Sequence, residues 1–393
     1  MEQLPAFFIV LTVGLIFSEL FRRLHLPWVL ALIIGGMYIG PFGVGFFTPN
    51  ETMDFLAEMG LVFLLFMAGL ETRLSSFGHI QKRILLLALL NGLIPFVLGL
   101  AIAAAFGYAL PVAILLGAIF VSSSIAVIVP SLEASRLVDT RLGRTILTAA
   151  ILEDIVSLII LSVFLQTSLE GAANIPLLLF YPLAVGALIV LRLAIPAVEK
   201  VVSREIRSGR DIFENELRLV FVLLLGIVAL LQLLGLHPVI AGFFAGLVLS
   251  DTIKSDVLRE KLHTLSYGLF IPIFFIVLGA NTNIRLFTTL QSGALFAGVI
   301  IIGSIVAKLA SGFIGGKLNH FTTRQSFLVG AATIPQLSTA VAVASLAPRL
   351  DIPPAFISSI IVLSIATTFV GPLLIRLLAR RTRTKEIMEA YRI

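Results

Sequence analysis

"ILEDIVSLII" (residues 151–160) places two adjacent carboxylates, Glu153 and Asp154, inside an apolar run. The nearest basic residues along the chain are Arg144 and Arg192, so neither acid has a partner close in sequence. A charge at the centre of a bilayer costs about 2.5–3.5 kcal/mol on insertion scales, and such groups are rare and usually functional. The stretch therefore reads as a membrane helix that carries a site.

The rest of the chain agrees. Of 393 residues, 59% are hydrophobic and only 13% charged, with a mean hydropathy of +1.09. A soluble domain carries roughly 25% charged residues, so this chain lacks the means to cover itself with a solvated surface. Cysteine is absent, which excludes disulfides and thiolate metal sites. The N-terminal "MEQLPAFFIVLTVGLIF" has no basic n-region and no small-residue cleavage site, and reads as a first membrane helix rather than a signal peptide.

Breaking the chain at charged, Pro and Gly clusters predicts thirteen spans: 5–21, 27–47, 52–70, 84–107, 111–131, 144–168, 175–197, 216–235, 236–251, 262–280, 291–315, 325–347 and 354–379. With the basic tail cytoplasmic, this count puts 25 of the 28 Lys and Arg residues on the inside. Only Arg285 and Arg349 fall outside, and Lys308 lies within a span. Such a bias is the positive-inside pattern, and it predicts an inner-membrane protein with its N-terminus outside and its C-terminus in the cytoplasm. The formal charge of +6 then belongs to the cytoplasmic membrane face, and no nucleic-acid partner is expected. The expected organisation is a single all-α membrane domain over 1–393 with no soluble domain. The charged connector 198–216 divides it into halves of six spans, with span 175–197 leading into the divide. Equivalent spans lie seven apart and run in opposite directions, as in an inverted repeat.

Lys308, in "IIGSIVAKLASGF", is the third deep ionisable group. A purely structural reading has Lys308 paired with one acid to lock two helices together. One cation against two acids still leaves a surplus carboxylate, which a transported cation would want. Neighbouring helical residues are about 100° apart, so one acid can face Lys308 while the other faces a cavity, and the two would titrate as a coupled unit. Two spans are broken at matching places. The fifth reads "FVSSSIAVIVP", with Ser122, Ser123, Ser124 and Pro130; the twelfth reads "AATIPQLSTAVAVAS", with Thr333, Pro335, Gln336, Ser338 and Thr339. Proline removes a backbone donor and frees a carbonyl. Such backbone survives in a membrane only where protein or a watery cavity covers it. Ser and Thr also simply pack helices closely, but interrupted spans at equivalent positions of two halves point to a transporter's binding site. Carboxylate, hydroxyl and carbonyl oxygens suit a hard cation, Na+ or K+, with Li+ a further candidate. His25, His79, His237, His263 and His320 fall at helix ends or loops and read as interfacial, and Glu71 near Arg73 reads as a helix tether. No nucleotide loop, catalytic triad or cofactor motif is evident, so neither an enzyme nor a bound cofactor is expected.

In these residues the chain resembles the monovalent cation/proton antiporter superfamily, particularly its second branch of bacterial sodium/proton antiporters and glutathione-gated potassium efflux proteins. The likeness runs through "LPWVLALIIGGMYIGPFGVGFF" (26–47), "MGLVFLLFMAGLETRLS" (59–75), "SSSIAVIVPSLEASRL" (122–137) and "GRTILTAAILEDIVSLIILSVF" (143–164). It continues in "HPVIAGFFAGLVLSD" (237–251) and "LSYGLFIPIFFIVLGANTNI" (265–284). The resemblance implies a core of spans within 84–168 and 291–379, two crossing discontinuous helices, and a dimerisation scaffold within 5–70 and 216–280. The core would slide past the scaffold, elevator-fashion, in a homodimer serving pH homeostasis. Asp154 matches the ion-binding aspartate, Lys308 the lysine paired with the preceding acid, and Ser123 and Ser124 the polar residues of the break. Relatives in this branch have Asp-Asp or Asn-Asp where this chain has Glu153-Asp154. An acid retained there favours electrogenic exchange. Several relatives carry Arg-Gly-Glu where this chain reads Gln336-Leu337-Ser338, and no cytosolic nucleotide-binding domain like that of the potassium efflux proteins is expected. The expected function is exchange of a monovalent cation, Na+ first, for H+. Asp154 would bind cation or proton, Glu153 would share the proton load, and Thr333, Pro335 and Gln336 would shape the cavity. The alternatives are K+/H+ exchange, or a channel-like K+ efflux protein gated by a separate subunit.

Overall fold

The computed structural model describes residues 3–23, 28–71, 81–138, 140–168, 214–233, 236, 238–250, 252, 253, 255–282, 291–346 and 352–390, with single positions at 182, 186, 189, 190 and 193. Of the expected features, span 175–197 (bar those five positions), most of the connector 198–216, Arg73, Lys254, Arg285, Arg349, His25, His79 and His237 lie outside the described residues.

Among the described residues the architecture is helical throughout. The first half contains α1 (Gln3–Arg23), α2 (Trp28–Ile39), α3 (Glu51–Glu71), α4 (Lys82–Ala105), α5 (Leu110–Val121), α6 (Ile125–Ala134) and α7 (Arg141–Ser168). The second contains α8 (Asn215–Leu233), α9 (Pro238–Leu249), α10 (Asp256–Leu265), a π turn (Ser266–Phe270) and α11 (Ile271–Ala280). It ends with α12 (Gln291–Leu318), α13 (Thr323–Ala332), α14 (Ser338–Leu346) and α15 (Pro354–Ala390). Eight described segments are long and apolar enough to cross a membrane: α1, α3, α4, α7, α8, the run Asp256–Ala280, α12 and α15. The chain is a multi-pass membrane protein.

Three boundaries differ from expectation. The span 27–47 is helical only to Ile39, because Gly40-Pro41 opens a turn that folds back on the helix end. There the Phe47 N–H donates to Ile39 O and the Val44 N–H to Tyr38 O, with Gly45 at φ +77°. The residues are apolar, but the turn satisfies their backbone without a helix. Span 262–280 begins earlier, at Asp256, where the Ser255 side chain accepts from the Leu258 N–H and caps the helix. The last helix runs on from 379 through the basic tail to Ala390.

Two groups of helices emerge from the packing. One is α1, α2, α3, α8, α9, α10, the π turn and α11, in which α3 packs on α9, and α2 on α11. Glycines set the closest approaches: a Cβ on Gly36 would lie 2.1 Å from Ile276 O, and one on Gly279 2.1 Å from Ile33 O. The other group is α4 to α7 with α12 to α15, in which α12 lies against both α4 and α13. A buried cluster of Leu87, Ile128, Leu132, Leu142, Ile146 and Leu328 closes one end of this second group.

Candidate ion-binding site

The site forms where two helices are interrupted. Between α5 and α6, Ser122 has an extended backbone (φ −56°, ψ 146°), as does Ser124 (φ −73°, ψ 103°). Between α13 and α14 the chain is non-helical from Thr333 to Leu337. Each interruption leaves helix-end groups without intrahelical partners, and each supplies partners to the other. The Ser124 N–H donates to Pro335 O at 2.7 Å, and Ser123 Oγ lies 3.1 Å from Thr333 O. Gln336 Nε2 donates to Phe120 O at 3.1 Å, within the last turn of α5. The carbonyl of Pro335 itself is thus occupied by protein.

α7 passes this crossing and presents its two acids in different directions. Glu153 and Asp154 are 1% and 2% exposed, and Lys308 on α12 is fully buried. Lys308 Nζ lies 2.8 Å from Glu153 Oε2, 2.7 Å from Val121 O, 3.0 Å from Ser123 Oγ and 3.3 Å from the Asn91 carbonyl on α4. The ammonium therefore sits at the C-terminal end of the broken α5, where the helix dipole favours a cation. Glu153 receives two further donors, Ser123 Oγ on Oε2 at 2.6 Å and Asn91 Nδ2 on Oε1 at 2.8 Å.

Asp154 is held differently. Ser122 Oγ and Ser338 Oγ, one from each interruption, both donate to its Oδ1 at 2.8 Å. Among the described residues no protein donor reaches Oδ2. Asp154 also lines a cavity of about 20 Å3 with Ser124, Ser338 and Leu337 on one side. Leu64, Leu65, Ala68 and Glu71 of α3, and Tyr267 of the π turn, close the other side. A volume of that order holds roughly one water-sized occupant. The cavity lies between the two helix groups, and its polar lining is two carboxylates, Asp154 and Glu71, with Ser124, Ser338 and Tyr267.

The residues expected from sequence gather here with distinct positions. Ser123 touches Glu153 rather than Asp154, while Ser124 uses its backbone at the crossing and also lines the cavity. Thr333 faces Asn91, whose Nδ2 donates to Thr333 Oγ1 at 2.9 Å. Gln336 braces α5 through its side chain, and its backbone N–H donates to Thr367 Oγ1 at 3.3 Å. Asn91, Ser157 and Ser311 were not singled out from sequence, though a buried amide in "LLLALLNGLIPF" (85–96) is a visible signal. Ser157 Oγ and Thr339 Oγ1 share a hydrogen bond at 2.7 Å. Glu71 lines the Asp154 cavity from across the group boundary, a position that its neighbour Arg73 in sequence gave no hint of.

Two crossed broken helices with a carboxylate, a neutralised carboxylate–lysine pair and a one-ion cavity describe a cation transporter. The model of the family described as "Sodium/hydrogen exchanger, transmembrane" matches residues 7–381. The chain belongs to this family. Among family members, it is 31% identical to the probable Na+/H+ antiporter 3 of Methanocaldococcus jannaschii, over 94% of this chain and 95% of that one. It is 29% identical to the Na+/H+ antiporter of Enterococcus hirae, over 97% of this chain and 99% of that one. The fold is similar to that of the sodium proton antiporter MjNhaP1 from Methanocaldococcus jannaschii, with a TM-score of 0.69 at 20% identity over 98% and 99% of the two chains.

Proposed function

We propose that this exchanger moves Na+ against H+ by alternating access of Asp154. One observation carries the reading: Asp154 lines a one-ion cavity between the two helix groups with a carboxylate oxygen that no described protein donor occupies. A dehydrated Na+ would take that oxygen together with hydroxyls of Ser124 and Ser338, and a proton would take it in the other half of the cycle. Only one of the two can be bound at a time, which couples them. Glu153 and Lys308 stay paired, and with Ser123, Thr333, Pro335 and Gln336 they keep the crossing rigid. Exchange at Asp154 alone is one Na+ for one H+; the electrogenic exchange that an acid at 153 favours takes a second proton on the Glu153–Lys308 pair.

In this reading, the helices within 84–168 and 291–379 form a core that carries the site. Those within 5–70 and 216–280 form a scaffold that dimerises with a second copy, and 175–197 is a linker helix. The core moves as a body against the scaffold in the inner membrane, with the N-terminus outside and the C-terminus in the cytoplasm. The principal support is that the helices pack as two groups with the cavity between them.

The test is reconstitution in liposomes with a trapped pH dye, an imposed pH gradient, and Na+, Li+ or K+ salts added in turn. Collapse of the gradient by Na+ in wild type, and none with Asp154→Asn, supports the reading. Potassium flux without proton movement would replace it with gated efflux.

A further inference from the structure

Of the two adjacent carboxylates on α7, Asp154 lines the cavity and has an open oxygen, whereas both oxygens of Glu153 are taken. The difference comes from a residue outside both interrupted helices. Asn91 is fully buried in α4, and its side-chain amide is used in three directions. Nδ2 donates to Glu153 Oε1 at 2.8 Å and to Thr333 Oγ1 at 2.9 Å, while Oδ1 accepts from Ser311 Oγ. Thr333 Oγ1 directs its own proton to Gly330 O at 3.1 Å or Val329 O at 3.2 Å, so toward Asn91 it can only accept. A carboxylate likewise accepts only. These partners fix the amide's orientation: nitrogen toward the acid, oxygen toward Ser311. The Asn91 backbone carbonyl accepts from Lys308 as well.

We infer that Asn91 is a positioning residue that closes Glu153 to cations, so that of the two adjacent acids on α7 only Asp154 takes the cation. Oε2 of Glu153 is taken by Lys308 and Ser123, and Oε1 by Asn91. The amide supplies the only donor to Oε1 among the described residues, and it is tethered from a fourth helix. Without it, Oε1 would face the space the amide left, one residue along α7 from Asp154. A hard cation binds more tightly as carboxylate ligands are added. A cation drawn by a freed Glu153 as well as by Asp154 would bind better and leave more slowly, so turnover would suffer while affinity gained. The inference rests on the proposed exchange at Asp154.

The test compares wild type with Asn91→Ala, and with Asn91→Ser in case the alanine variant does not fold. Exchange in liposomes gives the Na+ KM and the maximal rate, and Na+-dependent thermal stabilisation in detergent gives a binding constant without transport. The expected result is a Na+ KM and Kd lower by about threefold or more, with a reduced maximal rate. A merely structural role would lower the maximal rate and leave Na+ binding unchanged or weaker, since loosening a site does not tighten it. Wild-type exchange with an unchanged or raised Kd in the folded variant would overturn the inference alone. A wild type that neither exchanges Na+ nor is stabilised by it would overturn the exchange reading, and this inference with it.

Discussion

The backbone N–H of Ser124, on one interrupted helix, donates to the carbonyl of Pro335 on the other at 2.7 Å. Inside a membrane an unpaired backbone group costs several kcal/mol, and here each interruption supplies the partner the other lacks. Gln336 Nε2 donating to Phe120 O repeats the exchange. The crossing is therefore a single unit, and Asp154 is held to it by one hydroxyl from each interruption.

Replacing Asp154 with Asn keeps the shape and the hydroxyl partners but removes the charge. Na+-driven proton movement in liposomes should drop to that of protein-free vesicles. The variant should still elute as folded protein, because Ser122 and Ser338 can donate to the amide oxygen.

The Glu153–Lys308 pair is fully buried at 2.8 Å. Breaking such a pair by removing one partner costs about 3–5 kcal/mol, because a buried charge is left behind. Lys308→Ala should lower thermal stability accordingly. Glu153→Gln combined with Lys308→Met removes both charges and should recover most of the loss in the same melting assay.

Proton and cation compete for one carboxylate, and the cation binds the deprotonated form. The Na+ KM should therefore rise as pH falls, by up to about tenfold per unit once Asp154 is mostly protonated. The maximal rate at saturating Na+ should depend less steeply on pH over the same range. Liposome assays at stepped pH would show it, and a KM independent of pH would contradict direct competition.

A Cβ on Gly330 would lie 2.7 Å from Lys308 O and 2.8 Å from Leu309 Cα. Gly330→Ala should push α13 off α12 beside the ion pair, at a cost of about 1–3 kcal/mol. Thermal melting of the purified variant would measure the loss.

Glu153, Asp154 and Lys308 were legible in the sequence because charge deep in an apolar run has few innocent explanations. The two interruptions were legible for the same reason, as polar clusters repeated in matching spans. The division of labour among the serines was not. Once the helix stops, successive side chains point to alternate sides, so Ser122 reaches Asp154 while Ser123 reaches Glu153. No helical periodicity announces that. Asn91 escaped notice as a lone neutral amide whose partners lie on three other helices. At α2 the reading ran too long because hydropathy counts the apolar residues after Ile39 but not the Gly-Pro turn they belong to. Glu71 was read with its sequence neighbour, whereas its neighbours in space belong to the Asp154 cavity.

The distance in sequence between the paired charges sets a problem of biogenesis. Lys308 follows Glu153 by 155 residues. At 5–20 residues per second of synthesis, that is a delay of about 8–31 s. For that interval α7 must enter the bilayer carrying two acids whose cation does not yet exist, beside an interrupted helix whose carbonyls await Gln336 and Lys308. The nascent first half is thus a client for whatever shelters polar segments at the insertion machinery. It becomes self-sufficient in lipid only when the second half arrives.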